Sequence, residues 1–195
     1  MTLLALIRHG PTVWNRERRV QGRRDIPLDA EGVAEVAGWR LPPAFSSFDW
    51  AASPLARARR TAAVLAGGAV PCAPALIEMD WGAWEGRRLA ELRAELGPAM
   101  AANEARGLDF LPPGGESPRM VQRRLGPWLG EVARRGRPTV AVAHRGVIRA
   151  LYAAAAGWDM LERPPRALSS PAAHLFEVAP GGRLRLRCLD VQAFR

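Results

Sequence analysis

A chain of 195 residues fits one domain, or one domain with a modest insertion, and its 48% hydrophobic content can bury a large core without disulfide or metal staples. The net charge of +9 comes from 28 basic residues that are all Arg, in a chain rich in Ala, Gly and Pro; this is the mark of a coding bias against Lys. The arginines are scattered, with no long basic block or aromatic-interleaved stripe, which argues against nucleic acid as the main partner and for a field that attracts phosphorylated small molecules.

Two cysteines, Cys72 and Cys188, lie far apart and in no metal-like spacing. They read as reduced thiols of a cytoplasmic protein, with a single long-range disulfide as the other reading. The first residues run straight into a strand, without a basic segment and apolar h-region. No apolar run approaches membrane-spanning length, so neither an export signal nor a membrane partner is expected.

Residues 3–7 (Leu-Leu-Ala-Leu-Ile) are a short apolar run of the kind that forms a strand buried on both faces. Gly10-Pro11 breaks the run, so Arg8 and His9 sit at a strand-to-loop exit, where ligands gather in open α/β sheets. Trp14 to Arg24 reads as a polar loop carrying Arg16, Arg18, Arg19, Arg23 and Arg24. Asp29 caps a helix running to about Trp39, and Leu41-Pro42-Pro43 closes it. Phe48 to Ala52 is a second strand. Ser53 as N-cap, with Pro54 at the first helical position, opens a helix whose apolar face is Leu55, Ala58, Ala62 and Leu65 and which ends at Gly67-Gly68. Arg57 falls in its first turn, where guanidinium and helix dipole both suit an anion.

Residues 70–78 form a third strand-like approach ending at Glu78. An aromatic and Gly-rich loop follows, with Trp81, Gly82, Trp84 and Gly86. Arg88 to Gly97 is a short helix with Leu89, Leu92 and Leu96 on one side, and 98–113 is weakly patterned. Residues 79–116 read as an insertion folding over the strand ends as a partial lid. Ser117-Pro118 opens another helix with Val121, Leu125, Trp128 and Val132 inward, which Gly126-Pro127 should kink or split. Thr139 to Ala143 repeats the construction of the first strand and delivers His144-Arg145-Gly146, then a helix over Val147 to Ala156. Late strands at about 172–179 and 183–190 are joined by Pro180-Gly181-Gly182. Strands alternating with helices predict a three-layer α/β/α sandwich around a mixed, mainly parallel sheet, in one domain over 1–195.

Two of three histidines, His9 and His144, thus occupy matching strand ends, each beside Arg and Gly. His174, in a late strand without a motif, reads as a surface or core-edge residue. With Arg8-His9-Gly10, Thr12, Trp14-Asn15, Gln21-Gly22, Asp25-Ile26-Pro27-Leu28, Gly32, Ser53 to Ala58, Leu76-Ile77-Glu78, Gly82, Trp84-Glu85-Gly86, Gly114 to Ser117 and the His144 block in order, the chain resembles the histidine phosphatase superfamily, the phosphoglycerate-mutase-like enzymes. The motifs span residues 3 to about 155. The Asp-Ile-Pro-Leu and Trp-Glu-Gly elements are similar to those of the α-ribazole phosphatase branch, though shared too widely to settle the substrate.

The resemblance implies His9 as nucleophile, a phosphate cradle of Arg8, Arg57 and His144, and an amide contact to phosphate from Asn15. Arg suits this work because its planar fork meets phosphate oxygens two at a time. Glu78, in the family's Leu-x-Glu context, is the candidate general acid. A carboxyl walled by Trp81 and Trp84 would stay protonated near neutrality. Asp80 and Glu85 are the alternatives, with loop capping as their other reading. Gly22 and Arg145 are further candidates for substrate contact. Arg145 stands where the family usually has a small residue, so it either reads a second acidic group or points away.

The implied function is a phosphomonoesterase working through phospho-His9 on a small phosphorylated metabolite. The alternatives are a mutase, as phosphoglycerate mutases of this fold are with a bisphosphoglycerate primer, and a non-catalytic phospholigand-binding protein. The short chain, and a loop after Glu78 without the longer Lys-bearing mutase-type insertion, favour hydrolysis. No metal site or cofactor is expected: three His and two Cys lack ligand spacing, and without Lys there is no Gly-x-x-x-x-Gly-Lys loop. A homodimer is an assembly open to such a chain.

Overall fold

A computed structural model describes residues 1–191, so the last four residues of the domain expected over 1–195 lie outside the described ones. The strands are β1 (Thr2–Arg8), β2 (Asp49–Ala52), β3 (Thr139–Ala143), β4 (Ala173–Val178) and β5 (Leu184–Val191). They form one sheet in the order β2-β3-β1-β4-β5. β2, β3 and β1 pair in parallel, whereas β4 is antiparallel to both β1 and β5. Four strands therefore share one direction and β4 opposes them, which is the mixed, mainly parallel sheet expected.

The helices are α1 (Val13–Arg16), α2 (Ala30–Gly38), α3 (Ala56–Ala66), α4 (Leu89–Leu96), α5 (Pro98–Glu104), α6 (Pro118–Arg135) and α7 (Arg145–Ala156). Side-chain alternation along the strands assigns them to two layers. Leu4 and Leu6 of β1, Ala141 and Ala143 of β3 and Phe176 of β4 face α6 and α7, through Val121, Leu125, Leu129, Ile148 and Leu151. Ala5 and Ile7 of β1 and Val140 and Val142 of β3 face α2 and α3, through Val36, Ala58 and Ala62. Leu4, Leu6, Ile7 and Phe176 have no exposed surface; each contributes on the order of 2 kcal/mol by burial.

A satellite core of Trp84, Leu92 and Met100, with Phe110, organises the segment between β2's neighbourhood and α6. This segment is pinned to the loop after α1 by backbone bonds between Val20 and both Arg87 and Gly86. Among the described residues no helix is long and apolar enough to cross a membrane. Cys72 and Cys188 are exposed free thiols, so the disulfide reading does not hold.

Several local expectations are corrected. The start of the presumed polar loop is a single turn, α1, capped by Thr12. Residues 70–78 are not a strand: only Cys72 bridges to Ala52, and Pro74–Leu76 is a 3-10 turn, because Pro71 and Pro74 withhold ladder donors. The weakly patterned 98–113 contains α5, started by Pro98 at its first position, and a 3-10 turn at Gly107–Asp109. α6 is one uninterrupted helix despite Pro127, and its buried face uses Leu129 while Trp128 is only partly buried. α7 begins at Arg145, two residues before the expected start.

Candidate active site

The site assembles where β2, β3 and β1 end together. Parallel pairing places Ala52 opposite Val142, and Arg8 opposite Ala143. The ladder continues one step further: Ser53 N donates to Val142 O at 2.9 Å and His9 N to Ala143 O at 3.0 Å. Ser53, His144 and His9 are thus consecutive on one rim. The rings of His9 and His144 lie 5.1 Å apart between centroids, tilted by 56°. Residues more than 130 positions apart in sequence meet only because both strands belong to one parallel ladder.

His9 is 5% exposed and its Nδ1 lies 2.6 Å from the carbonyl oxygen of Gly10. A carbonyl only accepts, so Nδ1 carries the proton and Nε2 holds the lone pair. Burial drives the pKa of His9 well below its ordinary value, and the charges of Arg8 and Arg57 push the same way. Thr61 of α3 secures this corner: its hydroxyl accepts from Gly10 N at 2.9 Å and donates to Arg57 O at 2.7 Å.

Arg57 is the largest fully buried side chain, 1% exposed. Its η nitrogens donate to Gly22 O and Arg24 O, both at 2.8 Å, and its Nε donates to His144 Nδ1 at 3.3 Å. These bonds offset the cost of burying a charge, and one proton on each η nitrogen remains for an anion. Burial lowers the Arg57 pKa, while the carboxylates of Glu78, Asp25 and Glu85 oppose that; the guanidinium stays protonated in any case. His144 has no exposed surface. Since its Nδ1 accepts from Arg57, its proton sits on Nε2 and is donated to Ser53 Oγ at 2.6 Å. Burial, followed by the neighbouring His9 and arginine charges, keeps this ring neutral.

Arg8, the last residue of β1, is desolvated, and among the described residues its Nε has no hydrogen-bond partner. An orphaned cationic donor beside two neutral imidazoles and Arg57 fits an oxyanion. Arg145 is exposed in the first turn of α7 and close enough for its charge to act on Arg8.

Glu78 is 8% exposed and lies against the start of α7. Its Oε1 accepts from Met79 N at 2.8 Å and Val147 N at 3.3 Å, and its Oε2 from Gly146 N at 3.2 Å. Gly146 permits this approach, because a Cβ there would stand 2.5 Å from Glu78 Oε1. Burial raises the carboxyl's pKa and outweighs these bonds and the charges of Arg57 and Arg8. Trp81 and Trp84 pack on Phe110, each with ring centroids 5.7 Å away, and the start of α7 holds the carboxylate through the N–H groups of Gly146 and Val147. The two alternatives to Glu78 cap loops: Asp80 accepts from Gly82 N, and Glu85 from Arg23 N, Arg24 N and Trp81 N.

Asn15 spends its carbonyl on the N–H and hydroxyl of Thr12 while lining a cavity of about 210 Å³ that Arg8 and His9 also border. Gly22 touches the site through its carbonyl, which accepts from Arg57. The arginines of the first loop are largely committed to partners: Arg16 to Asp29 and Glu31, Arg19 to Glu17, and Arg23 to Asp80 and Glu116. His174 is buried beside Asp190, on the sheet rather than in the site.

Ser53 and Thr61 are residues of the site that sequence reasoning passed over. Ser53 was expected to cap α3, but α3 starts at Ala56, whose N–H is taken by Asp25 Oδ1 at 2.7 Å. The hydroxyl of Ser53 accepts from Leu55 N at 3.4 Å and from His144 Nε2 at 2.6 Å. Its position directly after an apolar strand was the available signal; Thr61 offered none.

The pattern of the histidine phosphatase superfamily (branch 1) matches residues 4–188. The chain is 36% identical over 162 residues to a 2,3-bisphosphoglycerate-dependent phosphoglycerate mutase of Azorhizobium caulinodans, covering 76% of this chain and 79% of the relative. Its fold is similar to a mycobacterial glucosyl-3-phosphoglycerate phosphatase complexed with VO3, with TM-score 0.79 and 27% identity over 98% of this chain and 100% of the other. It is also similar to a phosphoserine phosphatase of Entamoeba histolytica complexed with 3-phosphoglyceric acid, with TM-score 0.80, 26% identity and 98% of each chain covered.

Proposed function

From the premise that this chain belongs to the histidine phosphatase superfamily (branch 1), we propose that it is a phosphomonoesterase that hydrolyses a small phosphorylated metabolite through phospho-His9. The observation that carries this reading is the Nδ1 of His9 held at 2.6 Å from Gly10 O, which makes Nε2 the nucleophilic nitrogen of a neutral ring. Nε2 attacks phosphorus, the P–O ester bond breaks, and the leaving oxygen takes the proton of Glu78. Water then attacks the phosphohistidine, returns a proton to Glu78, and releases inorganic phosphate.

Arg8, Arg57 and His144 form the cradle that meets the charge spreading over the equatorial oxygens. For His144 to donate there, an anion must compete with Ser53 for the proton on Nε2. Asn15 contributes through its amide N–H groups, since its carbonyl is engaged. Arg145 meets the non-reacting part of the substrate, and residues 79–116 act as a partial lid. The protein works in the cytoplasm and requires no metal.

A specific observation favours a second reading: the sequence relative from Azorhizobium caulinodans is a mutase. A mutase returns the phosphoryl group from histidine to the substrate instead of to water. The experiment is p-nitrophenyl phosphate hydrolysis by wild type and His9→Ala, with acid-labile labelling of His9 from a radioactive phosphomonoester. Equal activity in the two proteins removes the phosphohistidine route. Faster isomerisation than hydrolysis of 3-phosphoglycerate transfers the assignment to the mutase, and phosphate binding without turnover transfers it to a phospholigand-binding protein.

A further inference from the structure

We propose that Glu85 is a positioning residue for Arg57, acting through the Gly22–Arg24 turn whose carbonyl oxygens grip the guanidinium. The inference rests on the reading of Arg57 as part of the phosphate cradle.

Each link is a hydrogen bond. Glu85 Oε1 accepts from Arg23 N at 2.6 Å and from Trp81 N at 3.4 Å, and Oε2 accepts from Arg24 N at 3.1 Å. The same carboxylate lies flat against Gly22, so closely that a Cβ there would stand 1.8 Å from Oε1. Gly22 also has φ +52°, a left-handed conformation that glycine adopts without strain. The turn is closed by Arg24 N on Gln21 O at 3.2 Å. Glu85 fixes its position by taking the N–H groups of Arg23 and Arg24 on one carboxylate and tying that carboxylate to Trp81 N. In that position the carbonyls of Gly22 and Arg24, two residues apart, both point at Arg57. Arg57 in turn donates to His144.

A plain loop cap would account for the N–H bonds alone. It would not account for the second half of the arrangement, in which both outward carbonyls of the capped turn end on the same buried cation. The side chain of Glu85 is 10% exposed, so its bonds face little competition from water. The carboxylate is also near enough for its charge to act on Arg57. One substitution at this corner acts on both ends of the chain of bonds. Glu85→Gln turns an acceptor into an N–H₂ facing a backbone N–H, and the turn must move to relieve it. Arg57 then loses its fixed acceptors, and a displacement of about 1 Å at a positioning group costs on the order of 10²-fold.

The test uses the full chain and p-nitrophenyl phosphate, with inorganic phosphate as competitive inhibitor. Glu85→Gln should lower kcat/KM roughly 10- to 100-fold and weaken inhibition by phosphate, with Tm close to wild type. In an Arg57→Met background, adding Glu85→Gln should change kcat/KM by less than about twofold, because residues acting through one another are not additive. A full multiplicative loss in that background, or an unchanged phosphate inhibition constant in Glu85→Gln, overturns the proposal. If Arg57→Met fails to fold, the inhibition constant decides alone. If Glu85→Gln fails to fold, Glu85→Asp, which withdraws the carboxylate by one methylene, is judged by the same criteria. Absence of turnover in wild type would sink the phosphatase reading. Calorimetric binding of phosphate to wild type and Glu85→Gln would still decide the role of Glu85.

Discussion

The Nε–H of Arg57 donates to Nδ1 of His144 at 3.3 Å, and this bond determines which nitrogen of the buried ring holds the proton. The buried guanidinium and the second imidazole are therefore one unit. The turn at Gly22–Arg24 orients the guanidinium, the guanidinium selects the tautomer, and the tautomer presents Nε2–H to Ser53.

Arg57→Lys tests that unit. Lysine keeps the charge, but one ammonium cannot meet Gly22 O, Arg24 O and His144 in the same planar geometry. kcat/KM for p-nitrophenyl phosphate should fall by about 10²–10³-fold, the range for loss of one oxyanion donor. Retention of more than half the wild-type value would show that charge alone suffices.

Ser53→Ala removes the acceptor of a fully buried imidazole N–H. Leaving that donor unpaired should destabilise the fold by about 1–3 kcal/mol, measured by urea unfolding. The ring, no longer held at both nitrogens, should also lose activity. Ser53→Thr, which keeps the hydroxyl, should restore most of the stability.

The pH profile of kcat/KM follows from two opposed shifts. In the proposed mechanism His9 is neutral when it attacks, and burial lowers its pKa below the ordinary 6.5, so the acidic limb should lie below that value. In the same mechanism Glu78 is protonated to serve the leaving group, and burial raises its pKa above the ordinary 4.5. Activity should be bell-shaped between them. Glu78→Gln should lose rate and flatten the alkaline limb, with the smallest loss for substrates whose leaving oxygen needs no proton, such as p-nitrophenolate.

Gly146→Ala adds one methyl that would stand 2.5 Å from Glu78 Oε1 and 3.1 Å from Met79 Cβ. Alanine is the better helix former by about 1 kcal/mol, so the fold should tolerate it. The acid must move instead, and kcat should fall roughly 10- to 100-fold while the Tm changes little. Stopped-flow phosphorylation of His9 would place the loss in the step that needs the proton.

Stability should decline in mild acid. The pKa values of His9 and His144 are lowered in the fold, so below pH 6.5 the unfolded chain binds more protons than the folded one. Stability is then lost as pH falls, at a rate approaching about 1.4 kcal/mol per pH unit for each ring. Glu78 acts with the opposite sign: its raised pKa means the folded state holds its proton more tightly, a contribution lost as pH rises through the raised value. A Tm that rose steadily from pH 7 to pH 5 would contradict the assignment of two buried neutral imidazoles.

The local sequence determined the strands and their exits. Apolar runs ending in Arg-His-Gly and His-Arg-Gly are confined to the rim of a sheet, because a chain that must bury both faces of a strand leaves polar groups only at its end. The capping residues Asp29 and Ser117 and the turn at Pro180-Gly181-Gly182 were legible for the same reason: each satisfies bonds within a few residues of itself. What the tertiary structure alone decided depends on partners distant in sequence. The hydroxyl of Ser53 accepts the local N–H of Leu55 at 3.4 Å, but its shorter bond, 2.6 Å, comes from His144. Glu78 takes two of its N–H donors from the start of α7, 68 and 69 residues further along the chain. The acceptors of Arg57 are backbone carbonyls, whose direction no residue type encodes. Parallel pairing of β1 with β3 brings these groups within reach, and burial then makes the hydrogen bonds obligatory.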